Sequence, residues 1–155
     1  MKIEAPFHAE HHYLQRLNAP PEAVFPLLCP VREVEWARGW DPEVVYAHSG
    51  MAETDGVFIT SEQGRQAVWY ITRHDPESFF LEMIKTTPGL TACLIRITLR
   101  PDGSGRTLAD VRYRHTALSP AGRDFVRDFT PEFYVRFMEE WEGELNAYLA
   151  GSRTR

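Results

Sequence analysis

The spacing of apolar residues changes once along this chain, near Ala117, and that change limits the folds open to it. Before it, from Val44 onward, apolar residues alternate with polar ones in short runs, as in an antiparallel meander. After it, apolar residues recur at i, i+3, i+4 and i+7, which is the spacing of an amphipathic helix. The pattern therefore predicts strands followed by one long helix that lays an apolar face on them.

Turn signals divide the stretch between Val44 and Ala117 into short strands. Each turn contains glycine or proline where the backbone must reverse. The turns are Thr54-Asp-Gly, Glu62-Gln-Gly-Arg, Asp75-Pro-Glu-Ser, Thr87-Pro-Gly and Pro101-Asp-Gly-Ser-Gly. In the strand predicted over 93–99 the odd-numbered residues are all apolar, which indicates one buried face and one wet face.

Short helices are predicted after the first strand. That strand covers His11–Leu17, and a helix follows it to about Leu28, with Asn18 as its cap and prolines in its first turn. The connection Cys29–Trp40 is rich in aromatic residues, and we expect a helical turn around Val31–Trp36.

The C-terminal helix has two start signals, Ser119-Pro120 and Thr130-Pro131, so we expect a kink or break near Pro131. Beyond that proline, seven apolar side chains share one stripe: Tyr134, Phe137, Met138, Trp141, Leu145, Tyr148 and Leu149. Together the elements predict a single α+β domain over residues 1–155, a curved antiparallel sheet of about seven strands around the long helix. A sheet bent around a helix leaves space for a cavity between them.

The composition excludes several classes of function. A net charge of −5 and the lack of a basic stripe argue against nucleic-acid binding. Cys29 and Cys93 lack metal or disulfide spacing, so we predict buried thiols in a reducing, cytoplasmic setting. No apolar run is long enough to span a membrane, and no phosphate-binding, dinucleotide or nucleophile-elbow motif occurs. We therefore expect neither a membrane span nor a cofactor.

Two segments carry a resemblance to a known superfamily. Asn18-Ala-Pro-Pro-Glu-Ala-Val-Phe, and the helix entry Thr116-Ala-Leu-Ser-Pro, resemble START-related lipid-transfer domains, birch-pollen-type allergens and polyketide cyclases, the SRPBCC superfamily. The segment Cys29-Pro-Val-Arg-Glu-Val-Glu-Trp-Ala-Arg-Gly-Trp is similar to one in a bacterial branch of it. The resemblance covers nearly the whole chain and implies a helix-grip fold with an internal pocket for lipids, hormones or polyketides. Some members are enzymes, others carry ligands, and one branch stimulates a chaperone ATPase.

Glu33 is the first candidate for acid–base chemistry, because it lies near Trp36 and Trp40 in the connection. A carboxyl group beside indoles is desolvated, and desolvation raises its pKa toward the range of a useful acid or base. The alternative is structural, with Glu33 or Glu35 binding backbone amides and positioning the connection.

His115 is the second candidate. Alternation along the last strand places Tyr113 and His115 on the face toward the cavity, where a histidine beside a phenol could move a proton. The alternative is a hydrogen-bonded residue of the cavity wall. Glu82 is open between a polar anchor in the pocket and a solvated surface residue, because both faces of its strand carry large apolar groups.

Three histidines near the N-terminus, His8, His11 and His12, are not expected to bind a metal. Adjacent residues of a strand point to opposite faces, and no nearby carboxylate or cysteine completes a ligand set.

These observations predict a protein that binds a small, largely apolar molecule, lipid-like or polyketide-like, and they favour binding over catalysis. The predicted ligand-binding residues are Trp36, Trp40, Trp69, Tyr113, His115, Tyr134, Phe137, Met138 and Trp141. One alternative is a cyclase or dehydratase that uses Glu33 or His115 as acid or base. Another is a protein-interaction module such as a chaperone regulator, which needs an exposed apolar patch. The sequence leaves a homodimer open.

Overall fold

Proline and turn residues set the bounds of the helices and strands. The computed structural model of the chain describes residues 1–151. A 3-10 helix (Phe25–Leu28) lies between the first two α-helices. The other elements, in chain order, are β1 (His8–Leu17), α1 (Pro21–Val24), α2 (Pro30–Glu33), β2 (Glu43–Tyr46), β3 (Val57–Glu62), β4 (Arg65–Asp75), β5 (Phe80–Thr87), β6 (Thr91–Pro101), β7 (Thr107–Ala117), α3 (Pro120–Asp128) and α4 (Pro131–Leu149).

The seven strands form one antiparallel sheet in the order β1-β7-β6-β5-β4-β3-β2. Strands β2 to β7 pair as a meander, and β1 joins the free side of β7. Along β6 the odd-numbered residues from Cys93 to Leu99 are buried, whereas Arg96 and Thr98 are exposed. The predicted α+β architecture, a seven-stranded sheet with a long C-terminal helix, is confirmed.

Helix α4 covers the outer edge of β1. The Gln15 side-chain amide donates to the Met138 carbonyl oxygen at 3.2 Å. The Asn146 side chain accepts from the Asn18 amide at 2.9 Å and donates to the Arg16 carbonyl oxygen at 2.9 Å. An unpaired strand edge leaves backbone groups free, and the two Asn146 bonds satisfy such groups at the end of β1. All three bonds fix α4 against the sheet.

The N-terminal elements differ from their predicted bounds. Strand β1 starts at His8, three residues before the predicted start at His11, because its pairing with β7 continues to Thr116. Asn18 does not cap α1, which begins at Pro21 with Pro20 as the residue before it and no side-chain cap. The Asn18 backbone N–H donates to the Asn146 side chain of α4, and the cap position of α1 is occupied by Pro20.

The C-terminal helix is broken at Pro131, as predicted. Proline cannot donate a backbone hydrogen bond, and each new helix starts with a capped turn. The Ser119 hydroxyl accepts from the Gly122 amide at 3.0 Å, and the Thr130 hydroxyl accepts from the Phe133 amide at 3.1 Å. On α4, Tyr134, Met138 and Leu145 are fully buried and form the seam with the sheet.

Gly122 lets α3 pack closely on the β5–β6 turn. A Cβ atom at this position would lie 1.9 Å from the Leu90 carbonyl oxygen, a separation that no side chain can occupy. The same carbonyl oxygen accepts from the Leu118 amide at 2.9 Å, which holds it in place. The approach of α3 to the sheet therefore requires glycine here.

Candidate functional site

A cavity of about 220 Å3 lies between the connection after α2, the inner face of the sheet and the middle of α4. All four tryptophans of the chain line it, and we call it the tryptophan cavity. Its full lining is Leu28, Pro30, Glu33, Trp36, Ala37, Arg38, Trp40, Phe58, Trp69, Met83, Tyr113, Phe137, Glu140, Trp141 and Glu144. These residues are distant in sequence, so the cavity exists only in the folded chain.

Hydrogen bonds hold three of the four indoles in place. The indole N–H of Trp36 donates to the Leu27 carbonyl oxygen at 2.9 Å, and that of Trp40 donates to the Pro30 carbonyl oxygen at 2.8 Å. The Trp69 indole donates to the Thr60 hydroxyl at 2.8 Å. Since each ring is fixed, the walls of the cavity are largely preformed, which lowers the entropy that a ligand must offset on binding.

The connection is tied to α4 along one side of the cavity. The Tyr148 hydroxyl donates to a carboxylate oxygen of Glu35 at 2.5 Å, and Arg32 makes a two-pronged contact with the same carboxylate. Nearby, the Arg38 amide donates to Glu144 at 3.1 Å. Of the two acidic residues weighed for a structural role, Glu35 is the one that positions the connection.

Two donors on the cavity wall lack partners among residues 1–151. The indole N–H of Trp141 is buried and donates to no acceptor in the described part of the chain. The hydroxyl of Tyr113 makes no hydrogen bond to a described residue, although only 9 % of the side chain is exposed. For the buried Trp141 donor, the missing partner costs about 1–3 kcal/mol. Both donors therefore favour a ligand that brings an acceptor.

Glu33 presents a carboxyl group to the same cavity. Its backbone is fixed, because its amide donates to the Cys29 carbonyl oxygen at 2.8 Å and its own carbonyl accepts from Ala37 at 2.7 Å. The side chain remains partly accessible and lines the cavity. Burial raises the pKa of Glu33 to about 8. Within the described chain no cation or donor pairs with this carboxyl group, so it is protonated at neutral pH.

A second cavity, of about 510 Å3, adjoins the first. We call it the phenylalanine cavity after Phe125, Phe129, Phe133 and Phe137, which lie on its helical side. The two cavities share four lining residues: Trp40, Trp69, Tyr113 and Phe137. These four rings therefore form the wall that the two cavities have in common.

His115 lines the phenylalanine cavity and not the tryptophan cavity. Its Nδ1 is 3.0 Å from the Thr91 hydroxyl oxygen, and its ring packs edge-on against Phe125 and Phe129. Burial, with a smaller effect from Lys85, lowers the pKa of His115 to about 4. The imidazole is neutral at physiological pH, which suits a wall residue better than a proton donor.

Six of the nine residues predicted to bind ligand line the tryptophan cavity: Trp36, Trp40, Trp69, Tyr113, Phe137 and Trp141. Tyr134 and Met138 line neither cavity. The Tyr134 hydroxyl donates to the Val111 carbonyl oxygen at 2.5 Å, and Met138 has no exposed surface. Their apolar stripe packs on the sheet, so the structure gives these two residues a core position.

Glu82 lies on the outer face of the sheet. It accepts from the Thr72 hydroxyl at 2.8 Å and from the Arg96 guanidinium at 2.8 Å, and the Arg96 bond lowers the pKa of Glu82. The pocket-anchor interpretation of Glu82 is therefore excluded. The phase of β5 is set by its pairing, in which Met83 faces Ile71 and Ile95 in the core.

Lys85 is a site residue that sequence reasoning missed. It pairs with Trp69 on one side and Cys93 on the other, and so lies on the inner face of the sheet. Its ammonium group is 4.8 Å from the centroid of the Trp69 ring and lines the phenylalanine cavity. The sequence alternation places Lys85 on the same face as Leu81 and Met83. That alternation identifies Lys85 as a site residue only once the strand phase is known.

Over residues 1–151 no group of three or more His, Cys, Asp or Glu side chains is arranged to hold a metal ion. His11 instead lies 2.7 Å from the Phe129 carbonyl oxygen through its Nε2. No helix within the described part of the chain is long and apolar enough to cross a membrane.

Known structures share this fold, although no family model and no curated protein matches the chain. Norcoclaurine synthase from Thalictrum flavum is similar with a TM-score of 0.69 at 9 % identity, over 94 % of this chain and 88 % of its own. A protein from Rhodobacter sphaeroides gives 0.62 at 21 % identity, over 92 % and 93 % of the two chains. CalU16 from Micromonospora echinospora gives 0.60 at 18 %, over 97 % and 88 %. The chain therefore shares the helix-grip fold of these structures, which is the fold that its sequence resemblance implied.

Proposed function

We propose that the protein binds a small, largely apolar molecule in the space between the sheet and α4. The observation that carries this proposal is the tryptophan cavity, where four indoles surround a space that also contains the unpaired Tyr113 hydroxyl. Ligand sites are commonly concave, mostly apolar and supplied with a few polar groups that fix orientation. The phenylalanine cavity extends the available space for a longer ligand.

Apolar burial supplies enough free energy for useful affinity. At about 25 cal/mol per Å2, hiding about 400 Å2 of ligand and wall surface contributes about 10 kcal/mol before the costs of association. After those costs, a dissociation constant on the order of micromolar is expected. The fixed rings of Trp36, Trp40 and Trp69 reduce the ordering that binding requires.

The polar groups indicate what the ligand carries. Tyr113 has a free hydroxyl and Glu33 is protonated near neutral pH, so both can donate a hydrogen bond into the cavity. A ligand with a carbonyl or ether oxygen would accept from them. A purely hydrocarbon ligand would leave these donors unpaired and would bind more weakly.

Two measurements test binding. Native mass spectrometry of the protein purified from its own host would show a retained compound as an added mass, which extraction then identifies. Titration with the neutral probe N-phenyl-1-naphthylamine should change the tryptophan fluorescence and saturate at one probe per chain. The variant Ala37→Phe fills the tryptophan cavity and should weaken probe binding at least about tenfold, whereas Ala121→Phe, at an exposed position on α3, should not.

An acid–base enzyme of the cyclase or dehydratase type is the second candidate, and Glu33 favours it. A carboxyl group with a pKa near 8 that faces an apolar cavity is suited to give or take a proton near neutral pH. The same fold occurs in norcoclaurine synthase, whose structure was also determined in complex with dopamine and hydroxybenzaldehyde, so the fold alone does not decide between binding and turnover.

Incubation of the protein with the compound that co-purifies with it, followed by mass analysis of the products, separates the two candidates. An enzyme would convert the compound, and Glu33→Gln would abolish conversion while the compound still bound. His115→Ala would be the matched test for the histidine. A binding protein would return the compound unchanged.

A further inference from the structure

The chain has two lysines, and they lie in opposite environments. Lys2 is at the surface, with 84 % of its side chain exposed. Lys85 is on the inner face of the sheet, with 17 % of its side chain exposed. A lysine ammonium group placed among core side chains must offset a large loss of hydration, and such a position calls for a physical reason.

The neighbours of Lys85 compensate its charge only in part. Its one ion pair within the described chain is with Glu62 at 3.5 Å, beyond the 2.7–2.9 Å typical of a charge-assisted hydrogen bond. Glu62 is 66 % exposed, and exposed ion pairs contribute little. The Trp69 ring supplies a cation–π contact. Among residues 1–151 no acceptor takes a hydrogen bond from the three N–H groups of this ammonium.

The surroundings of Lys85 add no further negative charge. His115 and Cys93 are uncharged there, because burial lowers the pKa of the histidine to about 4 and raises that of the thiol to about 12. Arg65 lines the same cavity and adds a positive charge at its mouth. The phenylalanine cavity is thus positive on balance, with Lys85 and Arg65 against Glu62.

The tryptophan cavity has the opposite balance at its rim. Glu140 and Glu144 line it together with Arg38, while Glu33 is protonated near neutral pH. An elongated ligand with one anionic end would therefore be oriented, with that end in the phenylalanine cavity. Its apolar body would pass the four rings that the two cavities share.

We propose that Lys85 is an anion-binding subsite, and that the ligand of this protein is an apolar molecule with a terminal carboxylate held by the Lys85 ammonium group. The subsite rests on the proposed function, because it requires a ligand in the cavities. It adds a chemical class, an amphiphilic carboxylic acid, and an orientation. The ligand carboxylate accepts hydrogen bonds from the Lys85 ammonium group, which keeps its cation–π contact with the Trp69 ring.

A matched ligand pair tests the subsite. Dodecanoate and 1-dodecanol have the same chain and differ in charge, and each is measured by displacement of N-phenyl-1-naphthylamine at about pH 7.5. Lys85→Met should weaken the binding of dodecanoate at least about tenfold and change the affinity for 1-dodecanol by no more than about twofold. Lys85→Arg should retain most of the dodecanoate affinity. Lys2→Met, which removes a surface charge, should change neither ligand.

Glu62→Gln distinguishes the subsite from a structural ion pair. If the ligand carboxylate competes with Glu62 for Lys85, removing the Glu62 charge should strengthen dodecanoate binding. If Lys85→Met lowers the affinity for both ligands equally, or for neither, the proposed subsite is wrong. Failure of dodecanoate to displace a bound probe would also overturn it and leave the proposed function standing. Failure of the probe itself to bind would contradict both.

Discussion

The indole rings of Trp36 and Trp141 stack in parallel, with their centroids 6.0 Å apart and their planes inclined by 8°. The Trp36 N–H donates to the Leu27 carbonyl oxygen, whereas the Trp141 N–H is buried with no acceptor among residues 1–151. One ring thus anchors the connection to the core and the other leaves hydrogen-bonding capacity unused. The unused polar groups around this cavity distinguish it from ordinary core, and the predictions below depend on them.

The hydroxyls of Tyr113 and Tyr134 should have opposite roles. Tyr134→Phe removes a 2.5 Å hydrogen bond to the Val111 carbonyl oxygen and should cost about 1 kcal/mol of unfolding free energy, with little effect on the ligand. Tyr113→Phe removes no bond from the free protein and should change stability by less than about 0.5 kcal/mol. It should weaken a carbonyl-bearing ligand about fivefold to tenfold. Urea unfolding and ligand titration of both variants measure this, and equal behaviour of the pair would refute it.

Glu33 should make the protein less stable as the pH rises. The pKa of Glu33 in the folded chain, about 8, is above its ordinary value of 4.5, so between these values the unfolded chain loses its proton while the folded chain keeps it. The contribution of Glu33 to the free energy of unfolding falls through that pH window by on the order of 4 kcal/mol. Glu33→Gln should remove this dependence. Urea unfolding from pH 4.5 to 8.5 measures the difference between the two proteins, and parallel curves would show that Glu33 ionises normally.

His115 should act in the opposite direction at acid pH. The pKa of His115 in the folded chain, about 4, is below its ordinary value of 6.5, so as the pH falls through this window the unfolded chain takes up a proton and the folded chain does not. Stability is lost from pH 6.5 down to 4, by about 3 kcal/mol. His115→Gln lacks this loss while keeping a polar group near Thr91. The readout is the slope of stability against pH, because the loss of ring packing lowers the stability of the variant equally at every pH.

Gly122→Ala should destabilise the junction of α3 with the sheet. The added Cβ would lie 1.9 Å from the Leu90 carbonyl oxygen, so the helix start must move and its bond from Gly122 to Ser119 must lengthen. We expect a loss of about 1–3 kcal/mol in thermal or urea unfolding. Gly143→Ala is the matched control, because nothing lies near a Cβ atom there. It should be neutral or stabilising, since alanine favours a helix interior.

Sequence periodicity predicted the fold because its signals are local. The alternation in β6 and the proline of Thr130-Pro131 each act within a few residues, so the buried face and the helix break could be inferred before any tertiary contact was known. Asn18 shows the limit of such reasoning. Its residue type suits a helix cap, but α1 begins only at Pro21, with Pro20 in the cap position.

The site was less predictable, because its geometry depends on strand pairing. Strand β5 carries apolar groups on both faces, and only its register with β4 and β6 places Glu82 outside and Lys85 inside. Tyr134 and Trp141 share one helical stripe. The Tyr134 hydroxyl donates to the Val111 carbonyl oxygen, whereas the Trp141 N–H has no partner among the described residues. A helical period gives the face of a residue and not the polar atoms opposite it.

NMR of the indole N–H groups can show whether an apolar ligand binds in the tryptophan cavity. The chain has four tryptophans and all line the cavity, so its four indole signals report on that space. Addition of N-phenyl-1-naphthylamine should shift these signals in a saturable manner, with the unpaired Trp141 N–H moving most, and Ala37→Phe should abolish the shifts. If the probe leaves all four signals unmoved, or binds while shifting only residues outside the cavity, the account is contradicted.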